Sequence, residues 1–350
     1  MRYLITGGCG FVGTNLGARI LAGGHGLVVF DNLSRHGAGL NLEWLKNRGE
    51  CQFVHGDIRS SEDVLCAVQQ AAPEAVFHLA GQVAMTTSVQ RPRLDFETNA
   101  LGTLNLLEAV RLRAPEAAVL FSSTNKVYGD LSACLCRELE QRYVLTDYPH
   151  GVPETMPLEF HSPYGCSKGS AEQYVLDYSR IYGLRTAVFR HSSMYGGRQF
   201  TTEDQGWVGW FVRQALEQSL GSRREFTVSG NGKQVRDLLH ADDVAELYLL
   251  AGTGIDSICG QAFNIGGGPE NSFSILELLA ELGRMLRVDL RFRHIPERKS
   301  DQKVFVADIR KVQAALPWKP RVGKIEGLRE MIEWTRSCMP NSQAKATHST

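Results

Sequence analysis

The stretch "TGGCGFVG", residues Thr6 to Gly13, constrains the fold more than any other part of the chain. Gly7, Gly10 and Gly13 stand between an apolar run, "RYLIT", that reads as a strand and a helix-spaced run, "GTNLGARILAGG". Glycines at such a turn let the backbone approach a pyrophosphate, and the helix that follows offers oriented N–H groups and a favourable dipole. Asp31 closes the next apolar run, "LVVFD", 18 residues beyond Gly13. A carboxylate there accepts from both ribose hydroxyls and repels a 2′-phosphate, so the spacing predicts NAD rather than NADP. Arg35, close by, points the other way. "GDI", with Asp57 and Ile58, follows the third apolar run and is placed to cup an adenine; a helix cap is an equal reading of it.

The rest of the first half keeps the same rhythm. "CQFVHGD", "AVFHLA", "AVLFSS" and "RTAVFRHSS" read as strands, with amphipathic stretches between them. Alternation of this kind predicts an α/β fold, a doubly wound parallel sheet covered on both faces. After about residue 195 the pattern becomes mixed, with "QGWVGWFVRQALEQ" and "SILELLAELGRML" as helices and "FTVSG" and "LRFRHIP" as short strands. The expected division is a cofactor-binding domain over 1–190 and a smaller mixed α/β lobe over 191–338, interleaved with late sheet elements. Residues 131–160 have little periodicity and read as an insertion near the active site. Residues 339–350, polar and small, read as a disordered tail.

Bulk properties narrow the partners. The chain has 350 residues, and its 38 Lys and Arg balance 38 Asp and Glu, so no global field draws it to nucleic acid or an anionic membrane. No apolar run reaches the roughly 20 residues a bilayer requires. "MRYLITGG" enters a strand at once, which leaves no room for a signal peptide. Eight scattered cysteines fit neither a disulfide framework nor a zinc spacing, so reduced thiols and a cytoplasmic setting are expected. His161 and His191 have no carboxylate or Cys partner at ligand spacing, and no metal site is expected.

The chemistry concentrates in two stretches. "SPYGCSKGSAEQY" sets Tyr164 and Lys168 four apart on one helical face, where an ammonium would stabilise a phenolate and lower the Tyr pKa from about 10. Such a phenolate can take a proton from a sugar hydroxyl. "SSTNKVYGD", Ser122 to Asp130, ends the fifth apolar run with hydroxyls, an amide and Lys126, and holds no acid before Asp130.

Together, "GGCGFVG", "NALGTLNLLEA", "SSTNKVYG" and "YGCSK" resemble the extended short-chain dehydrogenase/reductases, the Rossmann-type nucleotide-sugar epimerases and dehydratases. "GKQVRDLLHADDV", "FNIGGG" and "PERKSDQ" follow in the family's order, so the resemblance covers nearly the whole chain. It implies a catalytic set of Thr124, Tyr164 and Lys168. It implies that NAD is held by the glycine turn with Phe11 and Val12, by Asp31 with Asn32, Ser34 and Arg35, and by Asp57 and Ile58. Leu79, Ala80 and Gly81 would pass behind the cofactor, with Asn99, Tyr164 and Lys168 completing its site.

For the substrate, the resemblance implies Thr124 and Asn125 at the sugar, and Arg236 and Arg298 on a diphosphate, where a guanidinium fork suits phosphate oxygens. "SSTNKVYGD", "FHSPYGCSKG", "RHSSMYGGRQF" and "DQGWVGWF" resemble the branch acting at C2 of a CDP-linked 3,6-dideoxyhexose, a resemblance that adds His191, Ser192, Ser193, Gln205 and Val208 to the substrate site. Trp207 and Trp210 read equally as pocket walls or as core. Family dehydratases carry Asp and Glu after the strand-five Thr; Asn125 and Lys126 stand there instead, so elimination is not expected. The expected reaction is epimerisation through transient oxidation by bound NAD. A UDP-sugar 4-epimerase is the alternative, and a non-catalytic NAD-sensing protein on the same fold a further one. The family pairs subunits through the helices written here "GTLNLLEAVRLRA" and "KGSAEQYVLDYSRIYG", which implies a homodimer or homotetramer.

Overall fold

The alternating runs become strands whose two faces are both covered. In the computed structural model, which describes residues 1–298 and 301–339, β1 (Arg2–Thr6) leads through the glycine turn into α1 (Phe11–Ala22). Then come β2 (Gly26–Asp31), α2 (Ala38–Lys46), β3 (Gln52–His55), α3 (Ser61–Ala71) and β4 (Ala75–His78). Two short helices, α4 (Met85–Gln90) and α5 (Pro92–Phe96), precede α6 (Gly102–Arg113) and β5 (Ala118–Thr124). A hairpin, β6 (Cys136–Glu138) and β7 (Tyr143–Leu145), is followed by α7 (Ser162–Tyr182) and β8 (Thr186–His191).

The second lobe begins with β9 (Ser193–Tyr195), α8 (Trp207–Ser219), β10 (Phe226–Ser229), β11 (Val235–His240) and α9 (Ala241–Thr253). It continues through β12 (Gln261–Ile265), β13 (Ser272–Ser274), α10 (Ile275–Leu286), β14 (Phe292–Ile295) and β15 (Val304–Phe305). It closes with α11 (Arg310–Ala315) and α12 (Lys324–Cys338).

Seven strands form one parallel sheet in the order β12-β8-β5-β4-β1-β2-β3. The strand order reverses between β1 and β4, and the crevice beyond the C-terminal ends of such a sheet is where α/β folds bind ligands. Along β5 the period of two sorts the side chains: Leu120 packs with Phe189 and Tyr248 on one face, while Val119 and Phe121 pack with Val175 on the other. Burial on both faces is why these strands read as unbroken apolar runs.

The second lobe has its own core, in which Phe211, Phe226, Leu278, Leu282 and Met331 meet. A capping box, Ser274 with Glu277, starts α10. β12 nevertheless joins the large sheet beside β8, and Tyr248 and Leu247 of α9 sit in the core beneath it. Chain beyond residue 190 therefore completes the first lobe.

Residues 131–160 pack beside the turn that follows β5, where Glu159 N–H donates to Val127 O at 2.9 Å, and onto the second lobe. Tyr143 N–H donates to Lys233 O at 3.0 Å, Ser274 Oγ to Gln141 O at 2.7 Å, and Val152 bridges to Ala307. Tyr143 packs with Val235 and Val304, which draws the segment onto the second lobe; none of 131–160 lines the cavity described below. The expected tail lies, beyond Met339, outside the described residues. No helix among the described residues is long and apolar enough to cross a membrane.

Candidate active site

A cavity of about 1100 Å³ runs along the C-terminal ends of the strands and reaches into the second lobe. Its first end is built by the glycine turn. Gly7 has φ +70°, and a Cβ there would lie 2.6 Å from Ala80 N; one on Gly13 would lie 2.6 Å from Gly7 O. Only glycine permits this close packing, and it brings Leu79, Ala80 and Gly81 against the turn on the cavity wall with Phe11 and Val12. No side chain caps α1 at Gly10, so the orphan N–H groups of its first turn suit a phosphate.

Asp31 ends β2 beside this turn. Its Oδ2 accepts from Cys9 N–H at 3.0 Å and its Oδ1 from Leu33 N–H at 2.8 Å. Burial pushes its carboxyl upward, and these backbone bonds oppose the push. Asn32, Ser34 and Arg35 line the same end. Asp57 accepts from Asn32 Nδ2 at 3.2 Å and is clamped by Arg59 at 2.7 Å, whose hydrogen bonds hold its carboxyl down at about 2. Ile58 is buried beside it on the wall. A glycine cradle, bare helix N-terminus and carboxylate at the β2 end fit a dinucleotide with a free ribose 2′-hydroxyl.

Asn99 does not line the cavity. It lies in a π-helical turn, Glu97–Leu101, and is buried. Its Oδ1 accepts from Gln82 N–H at 2.9 Å, and its Nδ2 donates to Gln82 O and Ser167 Oγ, both at 3.0 Å. It thus supports the loop after Gly81 from behind. Asp95 anchors the group, accepting from Gln82 Nε2 at 2.8 Å and from Ser167 Oγ.

The middle of the cavity brings Thr124, Tyr164 and Lys168 together, each nearly buried. Burial pushes the Tyr164 phenol up to about 12, while a hydrogen bond with the Thr124 hydroxyl pulls it down. The expected lowering of Tyr164 by the Lys168 cation is not what governs it here; burial outweighs other influences, and Thr124 is the group that opposes it. Lys168 Nζ lies 4.1 Å from the Phe121 ring centroid. Burial pushes Lys168 down to about 7, while the Asp95 and Glu172 carboxylates favour its charge. Glu172, one turn along α7, receives Arg190 Nη2 at 2.6 Å and Ser123 Oγ at 2.7 Å.

The far end belongs to the second lobe. His191 pairs in register with Thr124 across β5 and β8. Its Nε2 lies 2.8 Å from Tyr248 Oη, its Nδ1 is buried with no partner among the described residues, and burial holds the ring down at about 3. Ser192 Oγ donates to Asp237 O at 3.2 Å, and Ser193 Oγ accepts from Trp207 Nε1 at 2.9 Å. Trp207, Trp210 and Gln205 line the wall. Val208 does not: it is 1% exposed in the second-lobe core, because one step along α8 turns it away from the face that Trp207 and Trp210 share.

Four charged groups complete this end. Arg236 Nη2 lies 2.7 Å and Lys126 Nζ 3.1 Å from the same atom, Asp301 Oδ1. Arg298, exposed, donates to Glu203 O at 3.4 Å. Asn125 Nδ2 donates to Gln302 Oε1 at 2.8 Å, and Gln302 Nε2 to Gly129 O at 2.7 Å, which ties the turn after β5 to the second lobe.

Sequence reasoning missed Asp95, Ser167, Gln82, Glu172, Arg190, Asp301 and Gln302. Ser167 and Glu172 were open to notice, since they share α7 with Tyr164 and Lys168. Their partners come from distant segments and carry no local signal. Among the described residues, His240, Asp242 and Glu330 come within metal-ligating distance of one another; both carboxylates are exposed, and none of the three lines the cavity.

Comparison with known proteins agrees with this geometry. The sequence model of the "NAD dependent epimerase/dehydratase family" matches residues 3–266. The chain is 56% identical over 337 residues to a protein of Salmonella typhi named CDP-paratose 2-epimerase, covering 96% of this chain and 100% of that one. It is 33% identical over 337 residues to a UDP-glucose 4-epimerase of Mycolicibacterium smegmatis, covering 96% and 99%. The crystal structure of Thermus thermophilus UDP-glucose 4-epimerase in complex with NAD superposes with a TM-score of 0.82 at 31% identity, covering 97% of this chain and 100% of that one.

Proposed function

The chain belongs to the NAD-dependent epimerase/dehydratase family, and on that premise we propose that it inverts C2 of a CDP-linked 3,6-dideoxyhexose, converting CDP-paratose to CDP-tyvelose. The observation that carries this reading is the end of β5. Thr124 and Tyr164 line the cavity together there, while an amide and an ammonium, Asn125 and Lys126, fill the places where elimination would need carboxyls. The 56% identical relative, named for the same reaction, supports it.

NAD, when bound, supplies reversible hydride chemistry at the sugar carbon. The chain's own residues do the rest. Tyr164 Oη exchanges a proton with the 2-hydroxyl, and Thr124 fixes the direction of that exchange. Lys168, backed by Asp95 and Glu172, places a cation beside the reacting groups. The second-lobe end of the cavity, lined by Ser192, Ser193, Trp207 and Trp210, would give the sugar ring room to present either face of C2 to the cofactor. His191, held neutral and bonded to Tyr248, keeps a donor or acceptor at Nδ1 for this polar wall. Arg236 and Arg298 bind the diphosphate, and Trp207 and Trp210 give the nucleotide flat apolar surfaces. In this reading residues 1–190, completed by β12 and α9, carry the cofactor, 191–338 carry most nucleotide-sugar contacts, and the reaction runs in the cytoplasm.

The protein acts as a homo-oligomer in the same proposal. Leu112, Tyr174, Ile181 and Tyr182 are exposed on α6 and α7, and an apolar face on adjacent helices suits an isologous four-helix interface. Sedimentation of an Ile181→Glu, Tyr182→Glu protein tests it: a shift to monomer is expected, and an unchanged sedimentation coefficient contradicts it.

The substrate is tested by incubating the protein with CDP-paratose, UDP-glucose and dTDP-glucose and following each sugar by NMR. Inversion at C2 of the CDP sugar alone is expected. Turnover of UDP-glucose at C4, with CDP-paratose untouched, would instead establish the 4-epimerase alternative, which the 33% identical relative represents.

A further inference from the structure

Lys126 has no place in the mechanism above, yet it is one of the most constrained residues at the cavity. Its side chain is 14% exposed, and its ammonium lies 3.1 Å from Asp301 Oδ1. Arg236, 12% exposed, holds the same oxygen at 2.7 Å. All three residues, with Arg298, line one wall of the cavity. Two half-buried cations converge on a single carboxylate oxygen, and with Arg298 beside them Lys126 and Arg236 form a local surplus of two positive charges over Asp301, in a cavity that Glu203 and Asp204 also line. Burial pushes Lys126 down to about 8, Asp301 favours its charge, and Arg236 and Arg298 disfavour it. A wall of this kind is complementary to a dianion.

We propose that Lys126 is a further substrate-binding residue, which with Arg236 and Arg298 forms a three-cation seat for the diphosphate of the nucleotide sugar, held in place by Asp301 as an internal counter-ion. The inference rests on the C2 reading for the sugar but not for the diphosphate. Lys126 stands two residues beyond Thr124, and its backbone N–H donates to Thr124 Oγ1 at 3.3 Å. A cation here draws the diphosphate toward the reacting groups. That suits reaction at C2, which is bonded directly to the anomeric carbon bearing the diphosphate, whereas C4 lies further round the ring. The ammonium after Asn125 thus acquires a positive role beyond the absence of an acid.

Calorimetric titration with CDP and with UDP is the test. Replacing Lys126 by Met is expected to raise the Kd for both by about tenfold or more, the usual worth of a charge-assisted bond. Lys126→Arg should recover most of the loss. In turnover, kcat/KM for CDP-paratose should fall by at least the same factor. Asp301→Asn separates ligand binding from a purely structural ion pair. The seat then keeps all three cations and loses the carboxylate that Lys126 and Arg236 share, so CDP should bind at least as tightly as to the native protein.

Unchanged CDP affinity in a folded Lys126→Met protein would overturn the proposal. So would equal weakening in Lys126→Met and Asp301→Asn, the mark of a structural pair. If Lys126→Met does not fold, Asp301→Asn alone decides, since weaker CDP binding there contradicts the seat. A native protein that binds CDP through Lys126 but leaves CDP-paratose unchanged would sink the C2 reading and leave the seat standing.

Discussion

Arg190 forks onto Glu172 in the interior of the protein, Nη2 to Oε1 at 2.6 Å, with the two side chains 6% and 0% exposed. Ser123 Oγ adds a bond to Glu172 Oε2, and Tyr128 Oη accepts from Arg190 Nη1 at 2.7 Å. The pair joins β5, α7 and β8 directly beneath Tyr164 and Lys168. Glu172→Gln would leave the Arg190 charge buried without its counter-charge, a loss of about 3–5 kcal/mol. Urea unfolding measures it; a loss below about 1 kcal/mol, the scale of an exposed pair, would show that the network contributes little.

On the proposed reading, Asp31 sets cofactor choice. Its carboxylate is held by Cys9 and Leu33 N–H groups beside the glycine turn. Asp31→Ser should weaken NAD binding by about tenfold or more, from the loss of a charged acceptor, and relax the discrimination against NADP. Fluorescence titration with both cofactors reads this, and an unchanged NAD to NADP preference would place recognition elsewhere.

Acid should destabilise the protein through two buried histidines. His78, bonded to Thr6 at 2.7 Å and Thr103 at 3.0 Å, and His191 are each held by burial at about 3, against 6.5 when unburied. Their folded-state values are depressed, so the unfolded chain binds more protons in this range. The stability they contribute is full above pH 6.5 and fades as pH falls toward 3. Asp237, pushed by burial up to about 6 from 3.8, works in the opposite direction between those values and offsets part of the loss. Melting temperatures from pH 7 to pH 4 should decline, and His78→Gln should flatten the decline. A melting temperature that holds steady to pH 4 would contradict both assignments.

Thr124 should matter nearly as much as Tyr164. Thr124→Val removes the hydroxyl that opposes the upward push on the phenol. The loss expected from disturbing a general acid–base group is about 10²–10⁴-fold in kcat, with a smaller change in KM. Thr124→Ser, which restores a hydroxyl, should recover much of it. A Thr124→Val protein with native kcat would remove Thr124 from the reacting group.

What the sequence disclosed and what it hid have separate causes. Gly7, Asp31, Tyr164 and Lys168 were legible because each obeys a local rule: a turn, a strand end, or two residues four apart on one helix; Thr124 was reached through the family resemblance. Val208 was misplaced because "WVGWFV" shows that a helix has two faces but not which one meets the cavity. The structure turns Trp207 and Trp210 to the wall and Val208 to the core. Residues 131–160, aperiodic, announced a loop without naming the lobe that Tyr143 and Val152 would join. Asp95 with Ser167, and Lys126 with Asp301, are meetings of residues 72 and 175 positions apart, and no local pattern encodes them.

The central claim, inversion at C2 with the sugar's own hydrogen returned, is tested most directly by isotopic label. CDP-paratose carrying deuterium at C2 is incubated with the protein in ordinary water, and the product is read by NMR and mass spectrometry. The account predicts CDP-tyvelose that keeps its deuterium at C2, and no product from a Tyr164→Phe protein. Replacement of the label by solvent hydrogen would contradict it, because the carbon would then have exchanged a proton with water.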